Sequence, residues 1–174
     1  MQRNHKLGAD FTNRIAIISG GANGIGLATA QRFVAGGARV VLWDIDDEAL
    51  AKARARFPEP ATVLIDRVDV TNAPALEQAV HRVTAECGKI DILVTGAGIT
   101  GPNCTAWEYP LDAWNRVLRT NLDGVMHCCR SVVPHMLRGG YGRIVTVASI
   151  GGKEGNAHAS AYAASKAEIG RAHV

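Results

Sequence analysis

Two side chains near the end of the chain have types and a spacing that could transfer a proton. Tyr162 and Lys166 stand four residues apart in the stretch SAYAASKAE, and this spacing places both on one face of a helix. A phenol works as an acid or base near neutral pH only if its pKa, ordinarily about 10, is lowered. A neighbouring ammonium lowers it effectively in a cleft that excludes water. The pair predicts general acid–base catalysis, and an exposed helical pair without function is the alternative.

A second group of residues is typical of a dinucleotide site. The segment SGGANGIG, residues 19–26, follows an apolar run, and its glycines allow a tight turn that brings backbone N–H groups close to a diphosphate. Its spacing, G-x-x-x-G-x-G, differs from the G-x-G-x-x-G fingerprint, so a glycine-rich turn without a ligand is the alternative. Asp44 follows the next apolar run, where a carboxylate either accepts hydrogen bonds from ribose hydroxyls or starts the following helix.

These residues need a scaffold, and the sequence predicts an α/β one. Apolar runs of strand length alternate with helical patterns, which indicates βαβ units in a doubly wound parallel sheet whose ligands bind beyond the carboxyl ends of the strands. We expect Asp46 and Thr71 to cap helices and Pro134 to bend the last one. The predicted strands are 14–19, 38–43, 62–67, 89–95 and 142–149, and the predicted helices are 25–35, 46–56, 71–87 and 111–137.

Composition limits the classes of function. The 174 residues are 47% hydrophobic and 20% charged, with a formal net charge of +3, which fits one globular domain with a real core. Basic residues are scattered and no stretch reaches the length of a membrane span, so we expect no nucleic acid, no membrane and a cytoplasmic location. The four cysteines lack metal-ligand spacing, and we expect buried, inert thiols and no metal.

Several motifs occur together in an order that resembles the short-chain dehydrogenase/reductase family, from about residue 11 to Ala167. They are SGGANGIG, Asp44, Asn121, Ser149, Tyr162 and Lys166. The resemblance implies a Rossmann-type sheet of strand order 3-2-1-4-5-6-7, of which this chain would hold 3-2-1-4-5. It also implies a nicotinamide cofactor and the reversible oxidation of an alcohol to a carbonyl compound.

The resemblance also implies roles for individual residues. Tyr162 would be the general acid/base, and Lys166 would activate it and bind a ribose. Ser149 would hydrogen-bond the substrate oxygen, and Asn121 would hold a water that links Lys166 to solvent. The implied cofactor-binding residues are Ser19, Gly20, Asn23, Gly24, Ile25, Gly26, Asp44, Asp69, Val70, Ala97, Gly98, Tyr162 and Lys166.

The segment TGAG, residues 95–98, departs from the family pattern, which has N-N-A-G at this place. Ala97 and Gly98 fit, whereas Thr95 and Gly96 do not. The asparagine hydrogen bonds that brace the central strand in the family are therefore in doubt.

The expected cofactor is NAD, with NADP less favoured. Asp44 would repel a 2′-phosphate, and no Lys or Arg stands at Asn23 or Ile45 to compensate.

The expected substrate is a small polar molecule that is hydroxylated or carboxylated, or an acyl compound. The segments 98–110 and 150–160 would border the reacting carbon. They carry Trp107, Lys153, Asn156 and His158. The resemblance is nearest to oxoacyl reductases and to sugar or sugar-acid dehydrogenases. A noncatalytic nucleotide-binding module on the same fold and a methyltransferase that uses S-adenosylmethionine stay open as alternatives.

We expect residues 1–174 to form a single, C-terminally incomplete domain, because family members are longer and the similarity fades after Ala167. Strands six and seven and the substrate lid would lie beyond Val174. Strand five would then be an open edge, and the chain by itself would be poorly active and prone to associate. The full-length enzyme would be a homodimer or homotetramer.

Overall fold

The computed structural model describes residues 9–169, apart from the side chain of residue 60, and places five strands in one parallel sheet. The strands are β1 (Ile15–Ser19), β2 (Arg39–Asp44), β3 (Val63–Arg67), β4 (Ile92–Thr95) and β5 (Arg143–Thr146). Their order is β3-β2-β1-β4-β5, and every neighbouring pair is parallel. The expected Rossmann-type fold and strand order are confirmed.

Helices connect the strands. They are α1 (Gly24–Ala35), α2 (Asp47–Arg54), α3 (Ala73–Cys87), α4 (Leu111–Leu118), α5 (Gly124–Arg138), α6 (Gly151–Glu154) and α7 (Ser160–Ile169). A π-helical turn, Arg119–Asp123, joins α4 to α5, so the one helix predicted over 111–137 has three consecutive parts. The interruption falls at this turn, whereas Pro134 lies inside α5. Within residues 9–169, no helix is both long and apolar enough to cross a membrane.

Side chains of the central strands alternate between two apolar layers, one on each face of the sheet. Ile17 of β1 packs in the layer that contains Leu76 of α3 and Val132 of α5. Its neighbour Ile18 packs in the opposite layer with Leu27 of α1. All five residues of β1 are buried, as expected for a strand that is covered on both faces. This packing fixes the carboxyl end of β1, where the glycine segment begins.

The starts of α2 and α3 show which predicted caps are formed. Asp46 accepts a hydrogen bond from a backbone N–H of the first turn of α2, as predicted. The cap of α3 is Asn72, which accepts from the backbone nitrogen of Ala75 at 3.1 Å, so the prediction of Thr71 was wrong. The Thr71 hydroxyl instead donates to Asp69 at 2.8 Å, and it is therefore not available as a cap.

Strand β5 forms one edge of the sheet that the described residues build. It pairs with β4 on one side, and the side chains of Arg143 and Val145 are exposed. An apolar strand at an edge is a template for further pairing, so this is the edge at which another strand could add.

The four cysteines are free thiols. Cys128 and Cys129 are buried in α5, whereas Cys87 and Cys104 are half-buried. Burial raises the pKa of Cys128 to about 12. Its thiol therefore stays protonated at neutral pH and is a poor nucleophile and a poor metal ligand.

Candidate active site

A cavity of about 560 Å³ opens at the carboxyl end of the sheet. Its walls come from the segments that follow β1, β2, β3 and β4 and from one face of α4 and the π-helical turn. The predicted cofactor residues that line it are Gly20, Asn23, Asp44, Asp69, Val70, Ala97 and Gly98. Parallel α/β sheets bind ligands at this place, beyond the strand ends.

The glycine segment after β1 has no room for a side chain at several of its positions, among them Gly20 and Gly26. Gly20 has a φ of +66°, and a Cβ there would lie 2.7 Å from the backbone nitrogen of Ala97. A Cβ at Gly26 would lie 2.2 Å from the carbonyl oxygen of Gly20. Gly24 begins α1 in open space. Because the first N–H groups of a helix have no partner inside it, this segment offers donors and a positive helix end to an anion.

The two side chains that flank Gly24 in this segment are exposed. Asn23 precedes α1 without a side-chain hydrogen bond to the helix, so its amide remains available to a ligand. Ile25 is 66% exposed on the first turn of α1, which is unusual for a large apolar side chain. Both therefore stand where a bound molecule could cover them.

We expect Gly26→Ala to destabilise the protein by at least about 2 kcal/mol, because the backbone must move to admit the added methyl group. Gly139→Ala is the matched control, since a Cβ at Gly139 would lie 3.5 Å from its nearest neighbour, the carbonyl oxygen of His135. Urea unfolding of both variants measures the difference. Equal stability of the two would contradict the close approach of Gly26 to Gly20.

Asp44 forms the turn that precedes α2, and one of its oxygens faces the glycine segment. Its Oδ1 accepts hydrogen bonds from the backbone nitrogens of Ile45 at 2.8 Å and Asp46 at 3.3 Å, as in a turn before a helix. Its Oδ2 accepts one from the backbone nitrogen of Ala22 at 3.2 Å. The carboxylate therefore ties β2 to the glycine segment. A carboxylate oxygen has two lone pairs, so Oδ2 can still accept from a ribose hydroxyl in the cavity.

Asp69 and Val70 form the part of the cavity that follows β3. Oδ1 of Asp69 accepts from both the backbone nitrogen and the hydroxyl of Thr71, at 2.9 and 2.8 Å, which leaves Oδ2 for another donor. Val70 is buried, and its carbonyl oxygen lies 3.0 Å from Nδ1 of His127. This end therefore offers an apolar surface beside a hydrogen-bond acceptor, which suits a purine ring.

The segment that follows β4 lacks the asparagine bracing of the family, as its sequence indicates. Thr95 is buried, and its hydroxyl has no partner among residues 9–169. The hydroxyl of Ser19 instead accepts a hydrogen bond from the backbone nitrogen of Ala97 at 3.4 Å, which links β1 to this segment. A Cβ at Gly98 would lie 3.1 Å from Oδ1 of Asn121 and 3.7 Å from Nζ of Lys166. Gly98 therefore gives these two side chains room at the cavity wall.

Tyr162 and Lys166 lie one turn apart on α7, as their spacing predicts. The ammonium nitrogen of Lys166 is 6.0 Å from the centre of the Tyr162 ring. Lys166 is only 6% exposed and donates to the carbonyl oxygen of Val147 at 2.7 Å. Burial lowers the pKa of this lysine. Its two other N–H bonds have no protein acceptor in the described part of the chain, so they remain for a ligand or water.

Asn121 joins the segment after β4 to α7. It is fully buried in the π-helical turn, and its side-chain amide brackets the backbone of Ile99, with Oδ1 accepting at 2.8 Å and Nδ2 donating at 2.9 Å. Nδ2 also donates to the hydroxyl of Ser165 at 3.0 Å, which in turn donates to the carbonyl oxygen of Tyr162 at 2.8 Å. π-helical turns occur frequently at functional sites, and this one directs the amide into the site.

Ser149 lies three residues beyond the end of β5, so the expectation that it ends this strand was wrong. Its hydroxyl oxygen accepts from the backbone nitrogen of Gly151 at 3.2 Å. The short helix α6 that follows packs closely on α7, since a Cβ at Gly152 would lie 2.4 Å from the carbonyl carbon of Lys166. This packing holds the segment that carries Ser149 against the helix that carries Tyr162 and Lys166.

The two segments expected to border the substrate meet through their backbones. The carbonyl oxygen of His158 accepts from the nitrogen of Cys104 at 3.0 Å, and His158 has a left-handed φ of +63°. The side chains of Lys153, Asn156 and His158 are exposed, and Trp107 is 85% exposed. The exposed side chains therefore offer one cation and several hydrogen-bonding groups.

Sequence reasoning missed several residues of the site, including the following ones. Ser165 stands between Tyr162 and Lys166 in the same stretch, and its helical spacing from Tyr162 was the one available signal. Val147 acts through a carbonyl group, which no residue type reveals. Thr120 and Arg116 line the cavity from α4 and the π-helical turn. Among residues 9–169, no group of three His, Cys, Asp or Glu side chains could hold a metal ion.

Comparisons with known proteins agree with this arrangement. A family profile described as short chain dehydrogenase matches residues 14–171. The chain is 46% identical over 159 residues to the 2-dehydro-3-deoxy-L-rhamnonate dehydrogenase (NAD(+)) of Sphingomonas sp. strain SKA58, a match that covers 91% of this chain and 63% of that protein.

Two solved structures share the fold of this chain. NAD+-bound xylitol dehydrogenase gives a TM-score of 0.87 at 34% identity, covering 92% of this chain and 62% of that one. An actinorhodin polyketide ketoreductase variant with NADPH gives a TM-score of 0.85 at 34% identity, and the match covers 90% of this chain and 60% of that one. The chain thus spans less than two thirds of the length of these relatives. The motifs, the strand order and these matches agree, and the chain belongs to the short-chain dehydrogenase family.

Proposed function

We propose that the protein oxidises a secondary alcohol to a ketone, reversibly, with NAD as the hydride acceptor. The observation that carries the proposal is the placement of Asn121 and Lys166 beside Gly98, a residue of the cavity wall. Tyr162 lies one helical turn from Lys166, and Asp44 lines the same cavity. The cavity suits a dinucleotide because Asn23, at the open start of α1, lines it together with a carboxylate that keeps free lone pairs.

The chain's own residues supply the proton chemistry of the proposed reaction. NAD, when bound, supplies a carbon that accepts the hydride from the alcohol carbon. Oη of Tyr162, as the phenolate, takes the proton of the substrate hydroxyl, so the alcohol loses one hydride and one proton and becomes a ketone. The buried ammonium of Lys166 stabilises the phenolate electrostatically, and its two remaining N–H bonds can reach a ribose hydroxyl or a water.

Two further residues orient the substrate and the acid–base helix. The hydroxyl oxygen of Ser149 already accepts from Gly151, so its O–H bond is available to donate to the substrate oxygen. Asn121 binds the backbone of Ile99 and the hydroxyl of Ser165, and this hydroxyl donates to the carbonyl oxygen of Tyr162. These bonds fix the segment after β4 relative to α7. The water that Asn121 is expected to hold stays a prediction.

We further propose a hydroxylated carboxylic acid as the substrate class. The relative from Sphingomonas is named for a deoxy-rhamnonate, which is such an acid. Lys153 supplies an exposed cation on the segment that follows Ser149, and Asn156 and His158 supply hydrogen-bonding groups. A panel of sugar acids, neutral sugars and acyl thioesters, followed by cofactor absorbance, tests the class. We expect the highest kcat/KM for the sugar acids, and a clear preference for neutral sugars or thioesters would contradict the proposal.

The proposed cofactor preference gives a prediction of its own. A 2′-phosphate on the ribose would be placed against the carboxylate of Asp44, and Ile45 and Asn23 beside it carry no charge. We expect kcat/KM to be at least about tenfold higher with NAD than with NADP, which corresponds to about 1.4 kcal/mol. The two cofactors are compared at one saturating substrate concentration. A tenfold preference in the opposite direction would show that Asp44 does not set the selectivity.

We also propose that the complete protein is a homodimer or homotetramer. Three large apolar side chains of α4 and α5 are exposed, Leu111, Met126 and Leu137, at 78%, 62% and 75%. A second subunit could cover exposed apolar side chains of these helices.

A further inference from the structure

Arg116 of α4 is the one Lys or Arg among the residues that line the cavity, all of which belong to the described part of the chain. The titratable side chains that share the cavity with it are the carboxylates of Asp44 and Asp69. Neither forms an ion pair with it, and Arg116 has no salt bridge within residues 9–169. Its exposed guanidinium can therefore take part in binding a ligand in the cavity.

The position of Arg116 on its helix indicates which part of the cavity it serves. Thr120, one turn further along, also lines the cavity. Gly124 comes after another turn and rests on Val70, since a Cβ at Gly124 would lie 2.7 Å from Cγ2 of Val70. This helical face therefore runs beside the end of the cavity that Val70 and Thr71 form, with Arg116 at its outer end.

We propose that Arg116 binds the adenine ring of the cofactor by laying its planar guanidinium across the ring face that Val70 leaves uncovered. This inference rests on the proposed NAD-dependent function. A guanidinium stacks on aromatic faces, which an ammonium does less well, and the ring would then lie between Arg116 and Val70. The diphosphate of the cofactor would bind the backbone N–H groups of the glycine segment around Gly20 and Gly24, at the start of α1.

The test compares two ligands that share a ribose phosphate and differ in the base, AMP and nicotinamide mononucleotide. Calorimetric titrations use the parent protein, Arg116→Ala, Arg116→Lys and a control, Arg119→Ala, which removes an exposed charge from the adjoining turn outside the cavity lining. We expect Arg116→Ala to raise the Kd of AMP and of NAD by about fivefold, the size typical of a partly exposed cation–π contact. The Kd of nicotinamide mononucleotide should change less than twofold.

The lysine variant separates stacking from simple charge attraction. If the guanidinium plane stacks on the adenine ring, Arg116→Lys raises the Kd of AMP nearly as much as Arg116→Ala does. Arg119→Ala then leaves the Kd of AMP unchanged. Full affinity in Arg116→Lys, or equal losses for both mononucleotides, would overturn the stacking inference. Unchanged AMP affinity in Arg116→Ala would overturn any role of this residue while leaving the proposed function intact. A parent protein that binds neither AMP nor NAD would overturn the proposed function as well.

Discussion

Replacing Tyr162 with phenylalanine in the complete enzyme is expected to lower kcat by about 10² or more, the usual contribution of a general acid or base. The substitution removes only the hydroxyl that takes the substrate proton. The ring keeps its place on α7, and Ser165 still bonds the carbonyl oxygen of residue 162, so the helix should stay in position. We therefore expect the Kd of NAD to change little.

Tyr141→Phe is the matched control for this substitution. Its ring contacts the guanidinium groups of Arg14 and Arg143, at 3.8 and 4.8 Å from the ring centre, and these contacts need no hydroxyl. Tyr141 precedes the amino end of β5, so it lies at the end of the sheet opposite the cavity. Near-normal turnover in Tyr162→Phe, measured beside this control, would exclude Tyr162 as the acid/base.

Lys166→Met is expected to lower kcat by at least about 10² without a comparable loss of stability. Methionine fills a similar volume but cannot stabilise a phenolate or donate to a ribose. The variant loses one hydrogen bond, to Val147, which is worth about 1 kcal/mol. It also removes the cost of burying an ammonium, and that cost is what lowers the pKa of Lys166. We expect the free energy of unfolding at neutral pH to fall by no more than about 1 kcal/mol.

The pH dependence of stability gives this variant a second readout. Because the pKa of Lys166 is lower in the folded than in the unfolded protein, the unfolded state binds more protons between the two values. As the pH rises from the folded to the unfolded pKa of Lys166, the parent therefore gains stability relative to Lys166→Met. Below the folded pKa the lysine is charged in both states, and the parent bears the full free-energy cost of burying the ammonium. Lys52→Met, at an exposed ion pair with Glu48, is the control. A parent that loses stability relative to Lys166→Met over this range would contradict the burial of an uncompensated ammonium.

The parts of the site that depend on local spacing could be predicted from the sequence. The positions of Tyr162 and Lys166 follow from helical periodicity, and the glycine segment follows from its place after a buried strand. The strand order came from the resemblance to a family, because parallel pairing joins residues far apart in the chain and leaves little local signal.

The errors arose where tertiary contacts override local preference. Thr71 has a good capping side chain, but Asp69 uses its hydroxyl, so Asn72 caps α3 instead. One continuous helix was expected over 111–137, yet it is interrupted at the π-helical turn around Asn121, whose amide is bonded to the backbone of Ile99. The bend expected at Pro134 stays a prediction. Neither the Asp69 contact nor the Ile99 contact is visible in the local sequence.

Residues that act through backbone groups or across helices could not be found from residue types. The bond from Lys166 to the carbonyl oxygen of Val147 joins α7 to the residue that directly follows β5, and only the folded chain brings these positions together. Arg116 looks like an ordinary exposed residue of an amphipathic helix until the cavity beside it is known.

Transfer of deuterium tests the central claim most directly. The protein, joined to the C-terminal part that its longer relatives possess, is incubated with NAD and sugar acids that carry deuterium at the alcohol carbon, and the cofactor is analysed by mass spectrometry. The proposed reaction predicts reduced cofactor that contains the deuterium, formed by the parent and almost absent with Tyr162→Phe. Binding of NAD without any deuterium transfer, across sugar acids, neutral sugars and acyl thioesters, would contradict the account and indicate a noncatalytic nucleotide-binding protein.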